Sequence, residues 1–223
     1  MSKVCVIHTT HVSVPLLREA FGQAASGVEL MHLIHDGLLT EVMRAGGVTP
    51  AITRTLCRHV VSAADLGCHA VLGACSSVSE ALDVARTLVP IPVIKIDEAM
   101  ADEAVRLAER IAVVATVKTT VEPTARLIQR RAAEQGRAVR LDVRLVPGAF
   151  EALIRGDGAL HDEKVLGEIR DAASTAGVVV LAQASMSRLV PVLGDHVRVP
   201  VLTSPALAVR RVLAVLGEPG AAA

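Results

Sequence analysis

The sequence predicts an α/β fold of two pseudosymmetric halves, each a short, mainly parallel sheet flanked by helices, with a ligand cleft between the halves. Three observations carry this expectation. Short β-branched runs alternate with longer Ala-, Leu- and Arg-rich stretches at helical spacing. At "RIAVVAT" the alternation starts afresh. Segments of the second round also lie over segments of the first. "VIHTTHVSV" over "VVATVKTTV" pairs Ile7 with Val114, an offset of 107 residues. "VLGACSSV" over "VLAQASMS" pairs Cys75 with Ala184, an offset of 109, and "IPVIKIDEAM" over "VPVLTSPALA" pairs Pro92 with Pro200, an offset of 108. Three near-equal offsets in the same order indicate a duplication. The expected halves are residues 1–98 with 203–223, and residues 99–202.

The elements follow in order. "KVCVIHT" reads as a buried strand, and "VPLLREAFGQAA" as a helix with Pro15 near its first turn. "VELMHLI" is the next strand. In "TPAITRTLCRHVVSAADLG", Thr49 can cap a helix, Pro50 suits its first position and Gly67 its end. "HAVLGA" is a strand, "SSVSEALDVARTL" a helix, "IPVIKI" a strand and "EAMADEAVRLAER" a helix. The second round supplies "RIAVVAT" and "EPTARLIQRRAAEQG", then "RLDVRLV" and "DEKVLGEIRDAASTAG". "VVVLAQA" and "SMSRLVPVLGD" follow, then "VPVLTS" and "PALAVRRVLAVLG", strand before helix each time. The tail "EPGAAA" is expected to fray.

Composition narrows the partners. Lys plus Arg equals Asp plus Glu at 23 each, and there are two Phe and no Trp or Tyr. Neither a basic stripe nor a base-stacking platform is present, so no nucleic-acid partner is expected. Hydrophobic residues make up 52% of the chain but are repeatedly broken by charge, Gly and Pro. No run reaches the roughly 18 to 20 apolar residues of a membrane span. "MSKVCVIHTTH" enters a strand without a leader pattern, so a cytoplasmic location is expected, with Cys5, Cys57, Cys68 and Cys75 reduced.

Open α/β sheets bind ligands at the loops after their strands. Here those loops are "HTTHVS", "CSS", "TVKTT" and "ASMS". Helix starts behind them offer backbone N–H groups and a positive dipole end, suited to a carboxylate or phosphate. Neither the dinucleotide nor the P-loop glycine fingerprint occurs.

These segments bring a family into view. "GACSSVSEA" after an apolar strand, "TVKTTVEPT" opening the second half and "VLAQASM" in its counterpart position resemble the aspartate/glutamate/hydantoin racemase superfamily, over nearly the whole chain. The resemblance implies a homo-oligomer, a dimer or larger, that needs no metal and no organic cofactor and acts on a small carboxylate or amino acid. It also implies a cysteine from each half, one removing the α-proton and the other delivering one to the opposite face. Cys75 matches the first, with a pKa expected to be lowered by the helix start behind it. Ser76 and Ser77 match an anion nest, with Thr9, Thr10 and His11 on the neighbouring loop. Thr116, Lys118, Thr119 and Thr120 match a carboxylate-binding loop, and Ala184, Ser185 and Met186 a second backbone nest. The departure is at the second cysteine, which this alignment lays on Ala184. An isomerase using Cys75 as acid or base is the leading expectation. A single-cysteine decarboxylase or cis–trans isomerase, and a non-catalytic small-acid sensor, are the alternatives.

Plainer roles stand beside these. Cys5, Cys57 and Cys68 read as structural, and Ser76 and Ser77 as helix caps at the same time as ligand groups. His8 and His11 divide evenly between site and surface. His32 and His35 fall on opposite strand faces, which argues against a metal site with Asp36; Asp36 can orient a loop or a ligand amine. His59, His69, His161 and His196 read as surface residues. Lys95 and Asp97 either line the cleft or pair structurally.

Overall fold

A computed structural model describes residues 1–24 and 27–218, the side chain of His196 excepted. The tail expected to fray lies outside the described residues from 219 onward, as does Ala25 at the end of the first expected helix. The chain divides into two compact units, Met1–Ala99 with the segment from Pro205 onward, and Met100–Ser204. Among the described residues, no helix is long and apolar enough to cross a membrane.

The first unit contains β1 (Lys3–His8), α1 (Ser13–Ala24), β2 (Glu29–Ile34), α2 (Leu38–Ala45), α3 (Pro50–Asp65), β3 (Ala70–Gly73), α4 (Ser79–Ala85) and β4 (Val93–Lys95). Its strands form a parallel sheet in the order β2-β1-β3-β4. The inner strands β1 and β3 are buried on both faces, which is why they read as unbroken apolar runs rather than alternating ones. On one face, Cys5, Ile7 and Val71 pack against Ile52, Leu56, Val60 and Ala63, a single stripe of α3, and against Leu82 of α4. The α3 start is as the sequence reads: the Thr49 hydroxyl accepts from the Ile52 N–H at 3.3 Å, with Pro50 next in the chain.

The second unit follows α5 (Glu98–Leu107) and contains β5 (Arg110–Ala115), α6 (Lys118–Glu134), β6 (Arg140–Leu145), α7 (Ala149–Ile154), α8 (Gly158–Ala173), β7 (Val178–Leu181) and β8 (Val201–Thr203); α9 (Ser204–Leu216) returns the chain to the first unit. The sheet is again parallel, in the order β6-β5-β7-β8. Val165, Ile169 and Ala172 of α8 cover Ala112 and Val114 of β5 and Val179 and Leu181 of β7. The Asp157 carboxylate caps α8 by accepting from the Leu160 N–H at 3.0 Å, so this helix begins four residues before the expected Asp162.

Several elements differ from expectation. The sequence reading left α2 and α7 unassigned. Gly37 and Gly46, both left-handed, bracket α2, and Leu38 and Val42 bury one turn apart within it. The expected helix over 76–88 is α4 flanked by 3₁₀ turns at Ser76–Val78 and Arg86–Leu88. The expected helix over 185–195 is a 3₁₀ run, Ala184–Val192, with Pro191 inside it lacking the N–H that a longer α-helix would use. α6 begins at Lys118, four residues before the expected Glu122, and carries Pro123 in its second turn.

α4 is fixed to the sheet in two ways. Lys95, 2% exposed, places its ammonium 3.1 and 3.0 Å from the two Asp83 oxygens, while Arg86 reaches Glu98 at 2.9 Å and Glu98 accepts from the Lys95 N–H at 3.1 Å. Lys95 therefore serves the structural pairing rather than the site. Beneath α4, a Cβ on Gly73 would stand 2.1 Å from Leu82 Cδ1, so an added methyl would force the buried Leu82 side chain to shift.

Two predictions follow from this packing. Gly73→Ala is expected to destabilise the protein by about 1–3 kcal/mol, and pairing it with Leu82→Ala to cost less than the sum of the single changes, measured by denaturant unfolding. The second concerns His8, fully buried, with Nδ1 2.7 Å from the Ser13 hydroxyl and Nε2 2.9 Å from His32 Nδ1. Burial first, then the neighbouring His32, lowers its pKa from 6.5 to about 4. As pH falls, the unfolded chain takes this proton before the native one does. Stability is thus full above about pH 6.5 and falls by roughly 3 kcal/mol toward pH 4. His8→Gln should flatten that slope in unfolding measured across this range.

Candidate active site

Each sheet ends in the same backbone construction. In the first unit β1 and β3 are neighbours with Ile7 opposite Gly73, and the Ala74 N–H donates to the Ile7 carbonyl at 2.9 Å. Cys75 then sits in extended backbone (φ −147°, ψ 120°) before the 3₁₀ turn, which closes with the Val78 N–H donating to the Cys75 carbonyl at 3.3 Å. In the second unit Val114 lies opposite Leu181, and the Ala182 N–H donates to the Val114 carbonyl at 3.0 Å. The extended residue there is Gln183 (φ −133°, ψ 133°), and the Met186 N–H donates to the Gln183 carbonyl at 3.1 Å. The outer strands agree: the Val71 N–H donates to the Pro92 carbonyl and the Val179 N–H to the Pro200 carbonyl, both at 2.9 Å.

These equivalences correct the sequence alignment by one residue. The counterpart of Cys75 is Gln183, not Ala184; Ala184 corresponds to Ser76 as the first residue of its turn. The offset is 108 residues along the whole of this segment, from Gly73 and Leu181 to Val78 and Met186. Gln183 was not among the expected site residues. The signal that could have found it is the Pro92–Pro200 offset, which was already 108.

The side chains repeat the pattern. Thr9, the second residue after Ile7, directs its hydroxyl at the Cys75 sulfur. Its counterpart Thr116, the second residue after Val114, engages Gln183 at two points. The Thr116 N–H donates to Gln183 Oε1 at 2.6 Å, and Gln183 Nε2 donates to the Thr116 hydroxyl at 2.7 Å. Because the Thr116 N–H can only donate, the amide orientation is fixed.

Cys75 keeps partial exposure, yet protein surrounds its sulfur. Burial raises the thiol pKa, and it outweighs the Thr9 hydroxyl, the Ser77 and Val78 N–H groups and the Ser77 hydroxyl, all of which favour the thiolate. The expected lowering is thus reversed. Hydrogen-bond donors are present, but no cation is among the groups acting on the sulfur, and dipoles alone do not offset the desolvation of a thiolate. At neutral pH the resting group is a thiol.

The remaining expected residues separate into three groups. Ser76, Ser77 and Thr116 are buried after the strand ends, Thr10, Ala184 and Ser185 are partly exposed there, and in the first turn of α6 Lys118 is exposed, Thr119 partly exposed and Thr120 buried. His11 is an exposed residue 3.4 Å from exposed Asp36. Met186 belongs to the core, with its N–H already used in the 3₁₀ turn, so the second nest is left with Ala184 and Ser185. Among the histidines, His32 meets His8 and His35 meets His59 at 2.9 Å each, which confirms their opposite faces. His161 is not on the surface: it is fully buried in the first turn of α8, its Nδ1 2.7 Å from the Asp162 carboxylate. His59 is likewise partly buried against His35.

Asp97, just past β4, is fully buried, with the Ser76 hydroxyl and its own N–H beside its carboxyl group. A surface hollow of about 430 Å³, lined by Ala108, Glu109, Arg110, Arg140 and Gly177, opens at the amino-terminal ends of β5 and β6. It is at the opposite end of those strands from the Thr116 and Gln183 loops.

Comparisons with known proteins bear on the fold and the family. The family profile described as Asp/Glu/Hydantoin racemase matches residues 7–212. The fold is similar to that of allantoin racemase from Klebsiella pneumoniae, with a TM-score of 0.71 and 21% identity over 99% of this chain and 90% of that one. It is also similar to glutamate racemase from Francisella tularensis, with a TM-score of 0.74 and 12% identity over 97% of this chain and 81% of that one. Comparison with curated protein sequences gave no match. With its two parallel four-stranded sheets and the profile match running through both units, the chain belongs to the Asp/Glu/hydantoin racemase family and is an isomerase by that membership.

Proposed function

We propose that this protein moves a proton at the α-carbon of a small carboxylate or amino acid, with Cys75 as its acid and base and no second thiol. One observation carries the reading: at equivalent backbone positions the first unit presents a thiol and the second an amide. A thiol can give a proton to carbon and take it back. An amide cannot do so near neutral pH, but Gln183, oriented by Thr116, keeps an N–H with which to bind a carboxylate.

The resting thiol sets the order of events. Cys75 is protonated at neutral pH, so it must first lose its proton to water; the thiolate takes the α-proton, the electron pair of the C–H bond staying on carbon, and the thiol so formed returns a proton to that carbon. The thiolate left behind faces the Thr9 and Ser77 hydroxyls and the Ser77 and Val78 N–H groups, which hold it until a proton returns. Exchange at one face of the carbon is complete with these groups, whereas inversion needs a proton from elsewhere, such as water. The same observation favours a second reading, decarboxylation, which asks for one proton delivery only: the carbon–carboxyl bond breaks, its electron pair stays on carbon, and Cys75 protonates it.

In deuterium oxide, with glutamate, aspartate and allantoin as probes, one enantiomer of an accepted probe should gain deuterium at the α-carbon faster than its mirror image accumulates. Cys75→Ser should slow that exchange by roughly 100-fold or more. A Cys75→Ser protein exchanging at the wild-type rate would sink the proposal, and carbon dioxide release without exchange would select the decarboxylase. Tight binding with neither outcome would indicate a sensor.

A gain-of-function test addresses the missing thiol. Gln183→Cys should bring inversion up toward the rate of exchange by at least roughly tenfold, while Ala184→Cys should not. The reverse result would restore the alignment through Ala184.

A further inference from the structure

The hollow of about 430 Å³ in the second unit brings together charges that the fold itself leaves unanswered. β5 and β6 are parallel neighbours that start there with Arg110 opposite Arg140. Adjacent strands lie about 4.8 Å apart and side chains in register share a face, so two guanidinium groups are rooted side by side. Like charges placed in this way repel and cost stability. Among the described residues no carboxylate relieves them. Neither arginine makes an ion pair or a side-chain hydrogen bond, and nor does Glu109, which lines the same hollow.

The unit neutralises its arginines elsewhere. Four residues farther along β6, Arg144 lies against Asp142, Glu168 and Asp171. The helices leading into these strands, α5 and α6, keep their last acids for other cations: Glu103 for Arg106 at 2.6 Å and Glu134 for Arg131 at 2.9 Å. Main-chain groups at the hollow are also paired. The Glu109 carbonyl accepts from the Arg140 N–H at 2.7 Å and the Arg110 carbonyl from the Gly177 N–H at 2.9 Å. Recognition of an occupant therefore falls to three exposed side chains, two cationic and one anionic.

That combination is the reverse of an acidic α-amino acid, which at neutral pH carries two carboxylates and one ammonium. Guanidinium groups match carboxylates by paired N–H donors. A dianion without nitrogen, such as phosphate or a plain dicarboxylate, would stand beside the Glu109 carboxylate with nothing to offer it. The volume lies within the range of small-molecule sites, and a lining this polar suits a polar guest.

We infer that this hollow is a second ligand site, which takes an acidic α-amino acid with its carboxylates on Arg110 and Arg140 and its ammonium on Glu109. The site goes beyond the proton-transfer reading and does not depend on it. β5 is six residues long, roughly 20 Å, with Arg110 at its start and Thr116 just past its end. An occupant of the hollow does not reach Thr116 or Gln183, and no bond is made or broken in it there.

Phenylglyoxal, which modifies exposed arginines, reads the site directly when the modified positions are mapped by peptide mass spectrometry on the full chain. L-Glutamate should protect Arg110 and Arg140 while exposed Arg58 of α3 stays reactive. Half-protection should fall at a concentration at least roughly tenfold below that of glutarate, which lacks only the nitrogen. Arg140→Gln should remove the protection of Arg110, and Arg110→Gln that of Arg140. Glu109→Gln should keep protection by both acids and erase the preference for glutamate. The wild-type comparison needs no variant, so the inference can fail on it alone. Reactivity of Arg110 and Arg140 unchanged by glutamate, equal protection by glutarate, or protection of Arg110 that survives Arg140→Gln would each overturn it.

Discussion

The site depends on a single backbone constraint: one extended residue between the end of an inner strand and a tight 3₁₀ turn. In each unit this residue is set by a hydrogen bond from the preceding alanine, Ala74 or Ala182, to the neighbouring strand. The turn behind it bonds back to its carbonyl, so its side chain has nowhere to go except toward the loop of the adjacent strand. Thr9 meets Cys75 and Thr116 meets Gln183 for this reason. Everything that fixes α4, from the Gly73–Leu82 approach to the Lys95–Asp83 pair, holds the turn in place behind the thiol.

Within that constraint, chemistry is decided by a competition at sulfur. Four donor groups favour the thiolate and burial disfavours it, and burial wins in the ligand-free protein. A helix start is not sufficient to make a reactive cysteine. The first turn here is three residues of 3₁₀ geometry, whose donors are partly engaged in the turn itself, and no cation assists. The consequence is a resting acid rather than a resting base.

Much of this was legible in the sequence. The parallel sheets follow from apolar runs alternating with helical spacing, and α3 announced its cap, its first proline and its terminal glycine. Cys75 stood out because a thiol followed by two serines at a strand end is a chemical pattern, not only an apolar one. The register of the duplication was not legible from "VLGACSSV" alone. β3 and β7 are buried on both faces, so Val, Leu and Ala are interchangeable along them and letter matching slides by one residue without penalty. Matching Val71–Leu72 to Val180–Leu181 drew Cys75 onto Ala184, whereas hydrogen bonds place Leu72 with Val180 and Cys75 with Gln183. His161 was misread for a related reason: polarity argued for the surface, but Asp162 satisfies one ring nitrogen and lets the ring be buried.

Asp97 and Lys95 show how little the sequence alone says about a buried charge. Both are charged residues at the end of one strand, both are buried, and the sequence gives no means of telling them apart. The difference lies in partners contributed from elsewhere in the chain. Asp83 on α4 reaches Lys95 with both oxygens, whereas Asp97 has only the Ser76 hydroxyl and its own N–H beside its carboxyl group. A buried charge with a partner stabilises the fold only weakly but is costly to break, and so marks structure.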